Sequence, residues 1–327
     1  MKKETETRYL QIPTTGVIFF SILLVAVSFF AGFSYVKLKS TGTVAVPTTA
    51  ATAIFAASKT NKPELKFFVM SFCPYGNQME DSLRPVFDLL GSKVDITPHY
   101  IFEKVTDLNS FCATSSGDIT KCSTYVTSGY FKTEAECKTT ITADVTKCKD
   151  ETGYIKAGNA FYASLHGRQE ATQDVREICA WNQTTDKKQW WDFVGNVNKN
   201  CTAQNADSCW TEQAQKAGLD ATKITECFNT QAVNLIEKEI AATTQYKVQG
   251  SPTVLINDVV FPPESAYTQD GKGTLKIGDK VATQDQFRSP NVIKTAICAS
   301  FNKSPNECKT ALKDLTGAAP AAGACGN

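Results

Sequence analysis

Histidine is nearly absent, with two among 327 residues, and no two cysteines stand in the Cys-x-x-Cys spacing of a zinc site. Both shortages argue against a metal cluster, and no cofactor is expected. Net charge is lacking too. The formal charge is +1, and Lys2, Lys3 and Arg8 against Glu4 and Glu6 account for all of it, leaving 31 basic and 31 acidic side chains from residue 17 onward. A nucleic-acid partner needs a basic patch or stripe, and this balance argues against one. Apolar content is not short: 42% of residues are hydrophobic and 20% charged, enough for one large domain or two small ones and too apolar for a disordered chain.

Charge is also missing from Val17–Tyr35, VIFFSILLVAVSFFAGFSY. At about 1.5 Å per residue a helix of this length nearly spans the roughly 30 Å hydrocarbon core, and we read it as a single transmembrane anchor. A cleaved signal peptide is the competing reading, but Ala-x-Ala-like sites occur only around Thr49–Ala57, far downstream. Residues 1–16 then form a cytoplasmic N-terminus, and 36–62, rich in Thr, Ala and Pro, a spacer. Flanking basic residues orient the anchor only weakly. Cysteine decides the side. All twelve (73, 112, 122, 137, 148, 179, 201, 209, 227, 298, 308 and 325) follow the anchor, which implies disulfides in an oxidising compartment: a periplasm, the cell exterior or an organelle lumen.

Lys66–Leu90, KFFVMSFCPYGNQMEDSLRPVFDLL, organises the remainder. Phe67, Phe68, Val69 and Met70 make a continuous apolar run suited to a strand buried on both faces. Met79, Leu83, Val86, Phe87 and Leu90 then recur with helical spacing. Cys73 falls between strand and helix, where unpaired N–H groups and the positive end of the helix dipole favour thiolate over thiol. Pro74 suits the first helical turn. A second strand is expected over Val94–Phe102, completing a β-α-β unit. Near the other end of the chain, Val248–Ile256 reads as a strand containing Ser251-Pro252-Thr253, and Asn257-Asp258 turns it into Val259–Phe261 as a hairpin.

The strand, Cys-Pro-Tyr-Gly turn and helix resemble the active-site segment of the thioredoxin superfamily. That resemblance implies an α/β thioredoxin-like fold over 63–310, with a Cys-rich insertion at 103–157 and a helical insertion at 160–246. It further implies a cis peptide at Pro252 lying against Cys73, and a site formed by Cys73, Pro74, Tyr75, Gly76, Ser251 and Pro252. Gly76 departs from the family pattern, which has a second cysteine there. A dithiol cycle confined to the motif is therefore impossible, and monothiol exchange remains. Cys73 as an inert or disulfide-bonded residue is the alternative.

Cys112, Cys122, Cys137 and Cys148 are expected to staple the Cys-rich segment as two disulfides, in any of three connectivities. Close spacing favours Cys298 with Cys308 and Cys201 with Cys209. Cys179 with Cys227 is a further expectation, and Cys325, in the small-residue tail 311–327, is left over. Ala160–Trp181 reads as helical. Its His166, Gly167, Glu170 and Cys179 keep the register of a motif of gamma-interferon-inducible lysosomal thiol reductases, whose first two cysteines and asparagine are replaced here by Ser164, Ala171 and Asp174. His166 could transfer protons in such a site or make a structural hydrogen bond. Trp190, Trp191 and Phe193 read as core aromatics. Helices are expected over Thr222–Tyr246 and Pro290–Phe301, and a polar loop over Pro262–Gln286.

Residues 173–310 also resemble the central luminal region of plant vacuolar sorting receptors, in VREICAW, WWDFV, SPTVLIN, AICASF and the cysteine order. That resemblance implies cargo binding without redox chemistry. Two functions follow. The first is thiol-disulfide exchange through Cys73 on protein or peptide substrates, as an oxidoreductase or isomerase. The second is a catalytically inactive thioredoxin-fold binding module of cargo-receptor type.

Overall fold

The run Phe67–Val69 is sequestered from solvent and forms the end of a six-residue strand, the second of the chain. In the computed structural model, which describes residues 52–262, 273–283, 288–313 and 325–326, that strand lies at the centre of a four-stranded sheet. The described residues divide into two compact units, Leu108–Asp150 and the remainder.

In the larger unit the chain begins with β1 (Thr52–Phe55), β2 (Glu64–Val69), α1 (Pro74–Leu90), β3 (Asp95–Tyr100) and β4 (Glu103–Val105). The parallel register of β2 on β3, from Glu64 opposite Asp95 to Val69 opposite Tyr100, closes the expected β-α-β unit. The smaller unit holds α2 (Leu108–Ser115), α3 (Cys122–Thr127) and α4 (Glu134–Cys148). Few of its side chains are buried beyond Cys112, Cys122, Cys137 and Ile141. Its cohesion comes instead from Cys112–Cys148 and Cys122–Cys137, the nested choice among the three connectivities. Thr133 caps α4 by accepting the Glu136 N–H at 3.1 Å.

The larger unit resumes with β5 (Ile155–Ala157) and β6 (Ala160–Ala163), which pair antiparallel, β6 also pairing with β4. The helical reading of Ala160–Trp181 is thus corrected at its start. Phe161 and Tyr162 suit a pleated surface, and the helix waits for the turn at Gly167, whose φ of 99° favours glycine. Four helices follow: α5 (Arg168–Gln183), α6 (Lys187–Asn200), α7 (Ala206–Lys216) and α8 (Ala221–Gln245). Trp190 and Phe193 are fully buried, and Trp191 stacks on Phe67 with ring centroids 5.8 Å apart. The aromatic cluster therefore joins α6 to the central strand. Cys179–Cys227 ties α5 to α8, and Cys201–Cys209 closes the α6–α7 connection, both as expected.

The sheet is completed by β7 (Gly250–Ser251), β8 (Thr253–Ile256) and β9 (Val259–Val260), in the order β3-β2-β8-β9 for the four-stranded sheet. Asn257 and Asp258 both take positive φ, 48° and 62°, and turn β8 into β9 as the two-residue hairpin expected. Within Pro262–Gln286, read as a polar loop, β10 (Thr274–Ile277) and β11 (Lys280–Thr283) form another hairpin, with Gly278 at φ 60°. β10 also pairs in parallel with β1, so Thr52–Phe55 is a strand within the expected spacer. Alternation in Thr274–Ile277 was the overlooked signal, since Leu275 and Ile277 are buried and Lys276 is exposed. Helix α9 (Pro290–Ala299) is closed off by Cys298–Cys308. A two-residue strand, β12 (Cys325–Gly326), pairs antiparallel with β7.

The anchor over Val17–Tyr35 lies outside the described residues. Among those described, no helix is long and apolar enough to cross a membrane.

Candidate active site

Between β2 and α1 the chain makes a tight turn closed by the Cys73 N–H on the Met70 carbonyl at 3.0 Å. Cys73 is the N-cap of α1, and its sulfur accepts the Gly76 N–H at 3.4 Å. Pro74 sits in the first helical turn, where no N–H is needed. The sulfur thus occupies the position where a helix start best stabilises negative charge. Cys73 is fully buried and is disulfide-bonded. The motif contains no other cysteine, so its partner stands outside the motif, which corrects the reading of Cys73 as a lone monothiol.

The Ser251–Pro252 peptide is cis, as the thioredoxin resemblance implied. Two contacts hold Ser251 against the turn. Its carbonyl oxygen lies 3.5 Å from the Cys73 sulfur, and its hydroxyl accepts the Met70 N–H at 3.2 Å. The same hydroxyl explains the glycine of the motif. A Cβ built on Gly76 would stand 2.6 Å from Ser251 Oγ and 3.4 Å from Val69 Cβ and Cγ1. Gly76 is there for space, its φ lying outside the left-handed region. Tyr75 lies beneath the Arg288 guanidinium, 5.1 Å from its ring centroid, and Arg288 also donates to Gln78 Oε1 at 2.8 Å.

Carboxylates from α5 support the turn from behind. Asp174 Oδ1 accepts both the Ser71 N–H at 2.8 Å and the Ser71 hydroxyl at 2.5 Å. Glu170 Oε1 accepts the Phe72 N–H at 2.9 Å and pairs with His166 Nδ1 at 2.7 Å, while Oε2 accepts the His166 N–H at 2.8 Å. His166 therefore reaches the site through Glu170. One turn further along α5, Glu177 accepts from the Tyr100 hydroxyl at 2.7 Å and from Gln173 at 3.0 Å. Glu80 of α1 accepts from Asn198 at 2.7 Å.

All four carboxyl groups are shut off from water, and their titration diverges accordingly. Burial pushes Glu177 up to about 7, against the lowering effect of its Gln173 and Tyr100 hydrogen bonds. Burial first, and the charge of Glu177 second, raise Glu80 well above the ordinary range. Burial and the neighbouring Glu170 charge do the same to Asp174. Glu170 goes the other way: burial would raise it, but the His166 charge and hydrogen bonds outweigh that and leave it low. His166 is raised in turn, the Glu170 charge overcoming its own burial. Glu170 and Glu177 thus sit on one helix face with opposite protonation tendencies.

This layer was not recognised in the sequence as part of the site. Glu170, Gln173, Asp174 and Glu177 follow i, i+3, i+4 and i+7, which reads as a solvated stripe. Two signals were available: the motif register that holds Glu170 and Asp174, and the apolar content of the other faces of α5, in Ala171, Val175, Ile178 and Ala180, all buried.

Residues 90–268 match the model of the vacuolar sorting receptor thioredoxin-like domain. The chain belongs to that family. The matched span takes in His166, the α5 carboxylates, Ser251 and Pro252, and begins after the Cys73–Gly76 turn; the resemblance read in the sequence was confined to 173–310. Membership of this vacuolar sorting receptor thioredoxin-like family gives the chain a mixed α/β thioredoxin-like fold. Similar solved structures include the reduced disulfide bond oxidoreductase DsbG of Mycobacterium tuberculosis, 13% identical over 76% of this chain and 82% of that one, with a TM-score of 0.39. DsbA of Mycobacterium tuberculosis, in its reduced form, is 12% identical over 76% and 86%, TM-score 0.39. A putative protein disulfide isomerase from Nitrosomonas europaea is 10% identical over 60% and 84%, TM-score 0.33. No curated protein matches the sequence.

Proposed function

We propose that this chain carries out thiol-disulfide exchange on protein or peptide substrates through Cys73. It does so in an oxidising, extracytoplasmic compartment, held there by the Val17–Tyr35 anchor. One observation carries the reading: the Cys73 sulfur caps α1 and accepts the Gly76 N–H, with the Ser251 carbonyl 3.5 Å away. A sulfur in that position is a good leaving group from a disulfide and a stabilised thiolate once released. Tyr75 and Pro74 shape the turn, and Ser251 with Pro252 supplies a backbone edge beside the sulfur.

A second reading, a binding module of cargo-receptor type, is favoured by the family's name as a sorting-receptor domain and by the burial of Cys73 in a disulfide. Graded reduction of the folded protein separates the two. Dithiothreitol is titrated in, free thiols are alkylated, and the order in which the disulfides open is read by mass spectrometry. Exchange at Cys73 requires its disulfide to open first and to equilibrate with a glutathione buffer while the five others stay closed. A Cys73 disulfide that opens only as the protein unfolds leaves the binding module as the function.

A further inference from the structure

Strand β12 is two residues long and comes from the tail, yet it pairs with β7, the two residues that precede the cis proline. Its register sets Cys325 opposite Ser251 and Gly326 opposite Gly250. Ser251 is the residue whose carbonyl oxygen lies 3.5 Å from the Cys73 sulfur. A strand added to an exposed edge is a general mode of peptide recognition, with main-chain hydrogen bonds supplying the affinity. Here the edge beside the reactive sulfur is taken by the chain's own tail, and the residue set against Ser251 is a cysteine.

Cysteine accounting points the same way. Ten of the twelve cysteines are joined to one another in five disulfides. Cys73 is also disulfide-bonded. The twelfth cysteine is Cys325.

We propose that Cys325, carried on β12, is the second redox cysteine of the site: it closes a disulfide with Cys73 and resolves mixed disulfides formed there, in place of the cysteine that Gly76 excludes. This rests on the exchange function proposed above and adds its resolving step. A Cys73 thiolate attacks a substrate disulfide, and one substrate sulfur leaves as a thiolate. The Cys325 thiolate then attacks the Cys73 sulfur of the mixed disulfide, and the second substrate sulfur leaves. The substrate gains two electrons and, from solvent, two protons, while Cys73 and Cys325 together lose two electrons. Run backward, the closed disulfide oxidises a substrate dithiol by the same steps. In the closed state β12 occupies the edge a substrate strand needs, so opening the disulfide also frees the groove.

Two measurements test this on the full chain. Non-reducing peptide mapping of the wild type should recover the Cys73 and Cys325 peptides cross-linked; Cys73 joined to any other cysteine overturns the proposal. Next, Cys73 is selectively reduced and glutathione disulfide added to wild type and Cys325→Ser, with released glutathione and adduct mass followed. The wild type should release two glutathiones per chain and carry no lasting adduct. Cys325→Ser should release one and retain glutathione on Cys73. If both proteins release two, exchange at Cys73 stands and the resolving role of Cys325 fails. If neither reacts although the cross-link is mapped, the exchange function itself fails, and with it the resolving role.

Discussion

Placing a side chain at position 76 tests the packing account of the motif. A Cβ there would come within 2.6 Å of Ser251 Oγ, closer than real contacts allow. In Gly76→Cys the Ser251 hydroxyl must rotate away, and it then abandons the Met70 N–H it accepts at 3.2 Å. Met70 and Ser251 are both buried, so that donor is left without a partner at a cost of roughly 1 to 3 kcal/mol. The new sulfur adds an overpacking cost of about 1 to 3 kcal/mol, and removing a helical glycine returns at most about 1 kcal/mol. The net expectation is a loss of roughly 1 to 6 kcal/mol, centred on about 3 kcal/mol. Ser251→Ala pays the Met70 part by itself and removes the obstructing atom, so the double variant should be more stable than the sum of the singles by at least that shared part, about 1 to 3 kcal/mol. Urea denaturation of the four proteins in the cycle gives these values from midpoints at a common slope. A Gly76→Cys midpoint equal to wild type, or strict additivity, refutes the argument that Ser251 dictates glycine at 76.

Glu177 binds its proton more tightly folded than unfolded, because its value is raised to about 7 from 4.5. Its contribution to stability is therefore complete below about pH 4.5 and is lost as pH rises to about 7, an effect on the order of 3 kcal/mol. Glu177→Gln should flatten the stability profile across that window, and parallel wild-type and variant curves in denaturant titrations at several pH values count against it. Loop closure ranks the disulfides of the larger unit: removing Cys179–Cys227, separated by 48 residues, should cost about 4 kcal/mol, and removing Cys201–Cys209, separated by 8, about 2.5 kcal/mol. Paired Cys→Ala variants compared by thermal unfolding check the order, and a larger loss at Cys201–Cys209 contradicts it. Ser289 caps α9 by accepting the Asn291 N–H at 3.2 Å, so Ser289→Ala should lower stability by about 1 kcal/mol, read by the same unfolding assay; no change means that water replaces the cap.

What the sequence made legible was local. The strand, turn and helix around Cys73 show in twenty-five consecutive residues because burial on both strand faces and one helix face leaves distinct periodicities. The Asn257-Asp258 hairpin and the short-range disulfides are legible for the same reason, since turn chemistry and loop closure act over few residues. The β10–β11 hairpin carries its alternation over strands of only 4 residues each, too short to stand out from the polar stretch around it, and the β6 strand was hidden by the helix that follows it. The carboxylate layer behind the turn was illegible because a buried polar stripe and a solvated one have the same spacing. Their difference lies in what packs on them, here the N–H groups of Ser71 and Phe72. The β12–β7 pairing is two residues long in a small-residue tail, too short for any period to register.

Ser251 is where these distant parts meet. Its hydroxyl holds the Met70 N–H and fills the space above Gly76, its carbonyl stands beside the Cys73 sulfur, and its backbone carries β12. The turn keeps its shape through N–H groups bound by Asp174, Glu170 and Ser251, none of which depends on a thiol at position 76. A glycine there is consequently compatible with an intact sulfur environment, because the atoms that orient Cys73 come from α1, α5 and the cis-proline strand. The second cysteine of such a site need not come from the motif. It can come from whichever strand is added at Ser251, and a change at position 76 acts first on the packing of that edge and only then on sulfur chemistry.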